Sequence, residues 1–301
     1  MYSKHTSSFS RPHLSFTLPE LASPSSTRKL RTDGSTEASP LSSQSIFNEV
    51  IRKIPTIRGF IELVFESIPP EQGSLICHSL RESSVCEARN ARINFNSCTG
   101  TLWVRVMPTE LHDVHQRWIN YCRSRWTREG LTTEDEDRLI DVGVGTTFDA
   151  FTGKYTHSSK EPDLFLRPDT NHLPLIVVES GWSESWPRLH ADKDLWLYGS
   201  TEVNMVVLLK WSKLSRNRGK GNLEVWTRNP AGGLTMHKKS IFPEPIPALD
   251  RGTDVLQFTK LDLFGQQMIA GQDPNAVLPL DLFHLRNFAR ERMLAMGLTP
   301  A

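Results

Sequence analysis

The sequence contains no long hydrophobic run and no excess of charge of one sign. No apolar stretch approaches the roughly 18 residues of a membrane-spanning helix, which argues against a membrane partner. With 35 basic and 34 acidic residues, the chain has no overall charge that would hold it to nucleic acid. Any contact with a polyanion is therefore expected to be local.

The sequence also has few cysteines and lacks several common enzyme motifs. Its four cysteines form neither C-x-x-C pairs nor a zinc-finger pattern with histidine, so a zinc module is disfavoured and a reducing compartment suits the chain. The G-x-S-x-G element and the Walker A sequence are both missing, which disfavours α/β hydrolases and P-loop NTPases. The N-terminus lacks the apolar core of a secretory signal, so we expect an intracellular protein, cytoplasmic or nuclear, that is not secreted.

Residues 1–45 differ in composition from the rest of the chain. They include thirteen Ser, five Thr and four Pro, and such a segment buries too little apolar surface to offset its ordering entropy. We predict a disordered tail. A transit peptide is the alternative, which Glu20, Asp33 and Glu37 disfavour. Residues 46–301 then form a single domain.

Apolar spacing and chain breakers predict both helices and strands in that domain. Two short helices divided by Pro55 are expected over 46–68, and a strand over 101–106 is followed by an amphipathic helix over 109–128 and a turn at 134–137. Strands are expected at 162–166, 175–179, 203–209 and 223–227, with helices over 186–199 and 279–296. This order predicts a mixed α/β architecture with a parallel crossover around the helix at 186–199.

Two acidic residues are expected to meet on neighbouring strands. If the strands at 162–166 and 175–179 form a hairpin centred on Asn171, Val178 lies opposite Leu164 and Glu179 opposite Asp163. Like charges in that arrangement repel unless a positive charge lies between them, and a divalent cation would supply it. A shift of the register by one residue would place the two carboxylates on opposite faces.

A lysine follows on the next helix. At 100° per residue, Lys193 falls in the middle of an apolar stripe with Leu189 and Trp196. A lysine in such a stripe lays its stem along the apolar surface, and its ammonium is expected to reach the carboxylate pair. The alternative is that the ammonium simply extends into water.

The residues Pro162-Asp163, an interval of fifteen residues, and Glu179 at the end of an apolar strand resemble the PD-(D/E)XK nuclease superfamily, whose fold is that of restriction endonucleases. The resemblance covers roughly residues 161–211. In the usual pattern a lysine lies two residues after the second acid, where this sequence has Gly181. A bacterial branch of restriction-endonuclease-like proteins carries its lysine on the following helix, which Ser183 and Lys193 match, and uncharacterised fungal proteins are more similar still.

The resemblance implies a restriction-endonuclease-like core over about residues 100–230 and a metal-dependent phosphodiesterase acting on DNA or RNA. Asp163, Glu179 and the Ser180 carbonyl would hold Mg²⁺ or Mn²⁺, which polarises phosphate and water together. Lys193 would orient the attacking water or neutralise the developing charge.

Two weaker patterns accompany this one. Five basic residues without an acid between them are expected in a loop that contacts phosphates, or else in a solvated loop: Lys210, Lys213, Arg216, Arg218 and Lys220. His112 and His115 lie three apart with no third ligand, and we expect surface histidines.

Two functions are thus compatible with the sequence. The first is a metal-dependent nuclease, and the second is an interaction or accessory protein that keeps the fold without turnover. Gly181 in the usual lysine position and the balanced charge favour the second.

Overall fold

Three β-sheets, of three, seven and two strands, organise the described part of the chain. The computed structural model describes residues 42–106, 111–169, 171–182, 184–229, 232–247 and 252–301. Its helices are α1 (Ser43–Lys53), α2 (Pro70–Arg81), α3 (Ser84–Glu87), α4 (Val114–Arg128), α5 (Glu134–Leu139), α6 (Trp186–Gly199), α7 (Lys260–Phe264) and α8 (Leu282–Ala295). Its strands are β1 (Ile61–Phe65), β2 (Arg92–Asn96), β3 (Thr101–Val106), β4 (Ile140–Gly143), β5 (Leu164–Pro168), β6 (Ile176–Gly181), β7 (Met205–Leu214), β8 (Arg218–Arg228), β9 (Leu234–Phe242), β10 (Val255–Thr259), β11 (Val277–Asp281) and β12 (Thr299–Pro300). The predicted mixed α/β architecture is confirmed.

The N-terminal unit is the antiparallel sheet β1-β3-β2 with helices α1 and α2 on one face. Alternation along its strands separates two faces, because successive side chains of a strand point to opposite sides. Ile93 and Phe95 of β2 and Val104 of β3 belong to an apolar core shared with the helices. The other face carries polar side chains, and it faces the large sheet.

The large sheet has the order β12-β8-β7-β6-β5-β4, and β9 pairs with β8 as well. Strands β6 and β7 are parallel and are joined by α6, as the crossover predicted, whereas β5 and β6 pair antiparallel. Leu164 lies opposite Val178, which confirms the register expected from the loop around Asn171. Helix α6 covers one face of this sheet with Leu189 and Trp196, and α4 and α8 contribute to the core on the other.

Two local predictions are wrong. The apolar residues after Pro55, expected as a second helix, form strand β1, because pairing with β3 buries Leu63 and Phe65 and outweighs the helical spacing. The acidic turn expected at 134–137 is helix α5, since Thr133 and Glu136 form a capping box that begins a helix there.

The boundary of the predicted tail also differs from the structure. Residues 1–41 lie outside the described residues, but α1 already begins at Ser43, and Ser42 accepts a hydrogen bond from the Ser45 N–H at 3.1 Å. Ser42 is therefore a helix N-cap rather than part of a tail. Across the described ranges, no helix has the length and apolar character to cross a membrane.

Gly73 of α2 packs directly against strand β2 in the N-terminal unit. A Cβ atom at this position would lie 2.1 Å from the ring of Phe95, which is fully buried. We therefore predict that Gly73→Ala lowers the free energy of unfolding by about 1–3 kcal/mol, even though alanine favours helices. Chemical denaturation measures the change. The control is Gly59→Ala, where the added Cβ meets nothing within 4 Å, and equal effects of the two substitutions would contradict the packing argument.

Candidate functional site

The polar face of the N-terminal sheet and the large sheet enclose a network of charged side chains. Five basic and seven acidic residues take part through ion pairs: Arg92, Arg105, His112, Lys160 and Arg188, with Glu62, Asp113, Glu161, Asp163, Glu179, Glu184 and Asp192. The opposed positions of Arg92 and Arg105 on β2 and β3, and of Glu62 and Arg105 on β1 and β3, place three of these groups on one sheet face. Strand pairing thus places three of the twelve groups side by side.

Asp163 is the acid at the centre of this network. One carboxylate oxygen accepts hydrogen bonds from Arg92 at 2.5 Å and from Arg105 at 3.0 Å. The other accepts from the Ser180 backbone N–H at 2.7 Å and lies 3.4 Å from His112 Nε2. Burial raises the pKa of Asp163, but His112, Arg105 and Arg92 outweigh it and hold the pKa well below its ordinary value. Asp163 is therefore ionised and fully partnered.

Glu179 has a different environment, although it follows Val178 on the same strand pair. Its Oε1 accepts a hydrogen bond from Trp196 Nε1 at 2.7 Å, and its Oε2 lies 3.3 Å from Lys160 Nζ, which Asp192 shares at 2.9 Å. Burial raises the pKa of Glu179 to about 8, with Lys160 opposing the rise and the charges of Asp192 and Asp163 adding to it. Because acids outnumber bases here, a proton on Glu179 reduces the buried excess of negative charge.

Arg105 links Asp163 to a second pair of acids. It forms ion pairs with Glu184 and, at 3.6 Å, with Glu62, and Arg188 of α6 pairs with the same two acids. The guanidinium of Arg188 lies 4.7 Å from the ring centroid of Trp103, whose other neighbour is the ammonium of Lys160 at 5.5 Å. Trp103 thus contacts one cation from the Glu179 part of the network and one from the Arg188 part.

His112 and His115, expected at the surface, are buried. The Nδ1 and Nε2 atoms of His115 lie 2.8 and 3.1 Å from the backbone carbonyls of His112 and Asp163, and burial lowers the pKa of the His115 imidazole. Burial also lowers the pKa of His112, but Asp163 and Asp113 reverse the effect and the net pKa is raised. The surface prediction is wrong because both histidines pack against Asp163, which lies some fifty residues further along the chain. The spacing of the two histidines in the sequence gives no sign of that contact.

The structure does not bring Lys193 to the carboxylate pair. Its stem is buried, as the apolar stripe predicts, but its ammonium pairs with Asp194 and lies 4.2 Å from the ring centroid of Trp226. Within the described ranges, no ion pair joins Lys193 to Asp163 or Glu179, and the lysine beside Glu179 is Lys160. The sequence offered one signal for this contact. Lys160 lies three residues before Asp163, which places it near the strand that pairs with the Glu179 strand. Ser183 lies outside the described residues.

The carboxylate pair does not fit a divalent cation in this arrangement. All four oxygens of Asp163 and Glu179 face protein N–H groups or cations, and both side chains are about 1% exposed. A neutral Glu179 is also a poor ligand for Mg²⁺ or Mn²⁺. Where the chain is described, no group of three or more His, Cys, Asp or Glu side chains is arranged to hold a metal ion. Ser180 contributes an N–H to Asp163, and its carbonyl as a metal ligand stays a prediction.

The predicted phosphate contacts divide into two groups. Lys213, Arg216 and Arg218 are exposed and Lys220 is half-buried on the β7–β8 hairpin, and none of the four has an acidic partner among the described residues. Lys210 is 9% exposed and its ammonium donates to the carbonyls of Trp182 and Trp211, at 3.1 and 2.5 Å. Burial lowers the pKa of Lys210 to about 8. Lys210 therefore stabilises the sheet end and is not free to bind phosphate.

The first prediction for this site concerns Arg105. Arg105→Met removes a buried cation that is 3% exposed and leaves Asp163 and Glu184 with less compensation. We expect a loss of about 3–5 kcal/mol in the free energy of unfolding, measured by chemical denaturation. The control is Arg138→Met, since Arg138 also pairs with two acids but is 73% exposed, and we expect a change within about 0.5 kcal/mol. A small effect at Arg105 would contradict the network.

The second prediction concerns the proton on Glu179. Unfolded Glu179 titrates near 4.5 and native Glu179 near 8, so its contribution to stability is full below pH 4.5 and is lost as the pH rises to about 8. Glu179→Gln keeps the acceptor for Trp196 and removes the titration. We expect the difference in melting temperature, wild type minus variant, to decrease between pH 5 and pH 8. The decrease should be about 2–4 °C for each kcal/mol lost from the free energy of unfolding. A difference that does not change with pH, followed by circular dichroism, would contradict the raised pKa.

Comparisons with protein-family models, with curated proteins and with solved structures find no match for this chain. The geometry of the site therefore carries the functional argument.

Proposed function

We propose that this chain is a nucleic-acid-binding accessory protein with a restriction-endonuclease-like core that does not cleave its ligand. The observation that carries the proposal is the occupation of the carboxylate pair, because every oxygen of Asp163 and Glu179 already faces a protein donor or cation. Binding a metal would require these partners to be displaced from a buried interface, which costs several kcal/mol for each uncompensated charge. The pair therefore supports the structure rather than turnover.

The nucleic-acid part of the proposal is supported by the β7–β8 hairpin. Lys213, Arg216 and Arg218 are exposed at its tip, where a three-residue loop joins the paired residues Leu214 and Arg218 and where Arg216 and Asn217 have positive φ values. Cations without acidic partners are free to replace the counterions of a phosphate backbone. Such contacts position a nucleic acid without reading its sequence.

One observation favours the other function, a metal-dependent phosphodiesterase of the PD-(D/E)XK type. This chemistry needs two acids close together, and Asp163 comes directly before Leu164 of β5 while Glu179 comes directly after Val178, the residue of β6 that pairs with Leu164. That function would require Arg92, Arg105 and Lys160 to leave the pair.

A cleavage assay separates the two functions. Single-stranded and duplex DNA and RNA are incubated with the full chain and millimolar Mg²⁺ or Mn²⁺. We expect no cleavage above that of the matched Glu179→Gln variant and no rise in melting temperature with metal, because no oxygen of the pair is available. Metal-dependent cleavage by the wild type that Glu179→Gln abolishes would establish the phosphodiesterase and refute the accessory function.

The hairpin contributes a prediction on binding. Replacing Lys213, Arg216 and Arg218 by alanine should leave the melting temperature unchanged and weaken binding to labelled duplex DNA, with a salt slope shallower by about 0.9 for each lost contact. Fluorescence anisotropy at several salt concentrations measures both quantities. The control replaces Arg52, Arg58 and Arg138, which are exposed cations on other elements, and equal losses in the two triple variants would contradict a hairpin site.

A further inference from the structure

A surface beside α6 carries aromatic rings and lysines that the buried network does not use. We name it the aromatic strip, and its members are Trp186, His190, Lys193, Tyr198, Trp226 and Lys238. Tyr198 is 58% exposed, and the side chains of His190 and Lys238 are 39% and 53% exposed. The two tryptophans are half-buried, so each presents part of its ring to solvent. Exposed aromatic side chains in contact with one another are candidates for recognition.

One buried acid, Glu224, orients two rings of the strip, those of His190 and Trp226. His190 lies between the two tryptophans, with ring centroids 5.5 Å from Trp186 and 5.9 Å from Trp226. Glu224 accepts hydrogen bonds from His190 Nε2 at 2.8 Å and from Trp226 Nε1 at 3.2 Å. Because the Glu224 carboxylate is only 4% exposed, the orientation of these two rings is fixed before a ligand binds, which lowers the entropy cost of binding.

Positive charge accompanies each indole. The ammonium of Lys238 lies 5.0 Å from the ring centroid of Trp186, and that of Lys193 lies 4.2 Å from the ring centroid of Trp226. Lys238 also forms an ion pair with Glu224 at 3.3 Å. Lys193 is only 6% exposed and pairs with Asp194, so both lysines are compensated by acids and mainly contact the rings. Positive charge for a ligand therefore comes from the neighbouring basic hairpin, whose cations have no acidic partner among the described residues.

The strip continues into the basic hairpin along one face of β8. Every second residue of this strand points to the face that carries Trp226, namely Arg218, Lys220, Asn222 and Glu224. At a rise of about 3.3 Å per residue, Arg218 and Trp226 lie about 26 Å apart. A chain of several nucleotides can span this distance, with phosphates at the hairpin and bases at the rings.

We infer that the aromatic strip binds the unpaired bases of a single-stranded nucleic acid, while Arg218 and Lys220 contact its phosphates. This inference rests on the proposed nucleic-acid binding and adds its ligand class. In a duplex the base faces are covered by neighbouring base pairs, whereas a single strand exposes them to stacking. Exposed rings beside a strand that carries unpaired cations are the combination that single-strand binding uses.

The test compares a labelled 20-nucleotide oligo(dT) with a labelled 20-base-pair duplex by fluorescence anisotropy in EDTA, with the full chain. We expect tighter binding of the single strand and a loss of about tenfold or more for Trp186→Leu with Trp226→Leu, since each stacked base contributes substantially to affinity. Trp186→Phe with Trp226→Phe keeps two rings and should retain most of the affinity. Phe283→Leu, a half-buried ring on α8, is the matched control and should change nothing. Thermal unfolding of each variant establishes that it is folded.

The outcomes distinguish this inference from the proposed function. If both probes bind equally and the leucine variant binds like the wild type, the strip is not the site and the nucleic-acid function stands. If poly-glutamate competes as well as oligo(dT), the surface recognises acidic proteins and the inference is wrong. If neither probe binds the wild type, the proposed function fails and the inference falls with it. Cleavage of the oligonucleotide on adding Mg²⁺ would show that the chain is a nuclease, and it would leave the inferred single-strand site unaffected.

Discussion

The ion pair between Arg105 and Asp163 is the contact on which the arrangement of the two larger sheets depends. Arg105 belongs to the N-terminal sheet and Asp163 lies directly before β5 of the large sheet, and both are almost completely buried. Neither charge is tolerable alone in that environment, because desolvation costs several kcal/mol for each ion. The two sheets therefore pack so that Arg105 and Asp163 lie in contact. Arg92 and His112 also pair with Asp163, and Glu184 pairs with Arg105.

This constraint also explains why the carboxylate pair is closed. A nuclease site needs acids that face solvent and hold a cation weakly enough to exchange water around it. Here the cation is supplied by the chain itself, as Arg105 at Asp163 and as Lys160 at Glu179. The same residues cannot hold the sheets together and offer free oxygens. Recognition would then fall to surfaces outside the network, such as the hairpin and the aromatic strip.

Some features of the site could be predicted from the sequence. The register of β5 against β6, with Leu164 opposite Val178, followed from loop symmetry around Asn171, because a hairpin register is set by its turn and by the period of two along each strand. The bounds of α6 followed from local signals for the start and end of a helix. The burial of the Lys193 stem followed from its angular position. Each of these inferences used only neighbours in the chain.

The sequence by itself determined the mixed α/β class, the strand that carries Glu179 and the helix that follows it, because these depend on local propensity and periodicity. Only the tertiary structure decided that β1 is a strand, that His112 is buried, and that Lys160 rather than Lys193 contacts Glu179. The physical reason is that these three outcomes depend on contacts between distant segments. The partner of β1 is β3, and the partner of His112 is Asp163, some fifty residues away. Long-range pairing of this kind leaves no periodic trace in either segment alone.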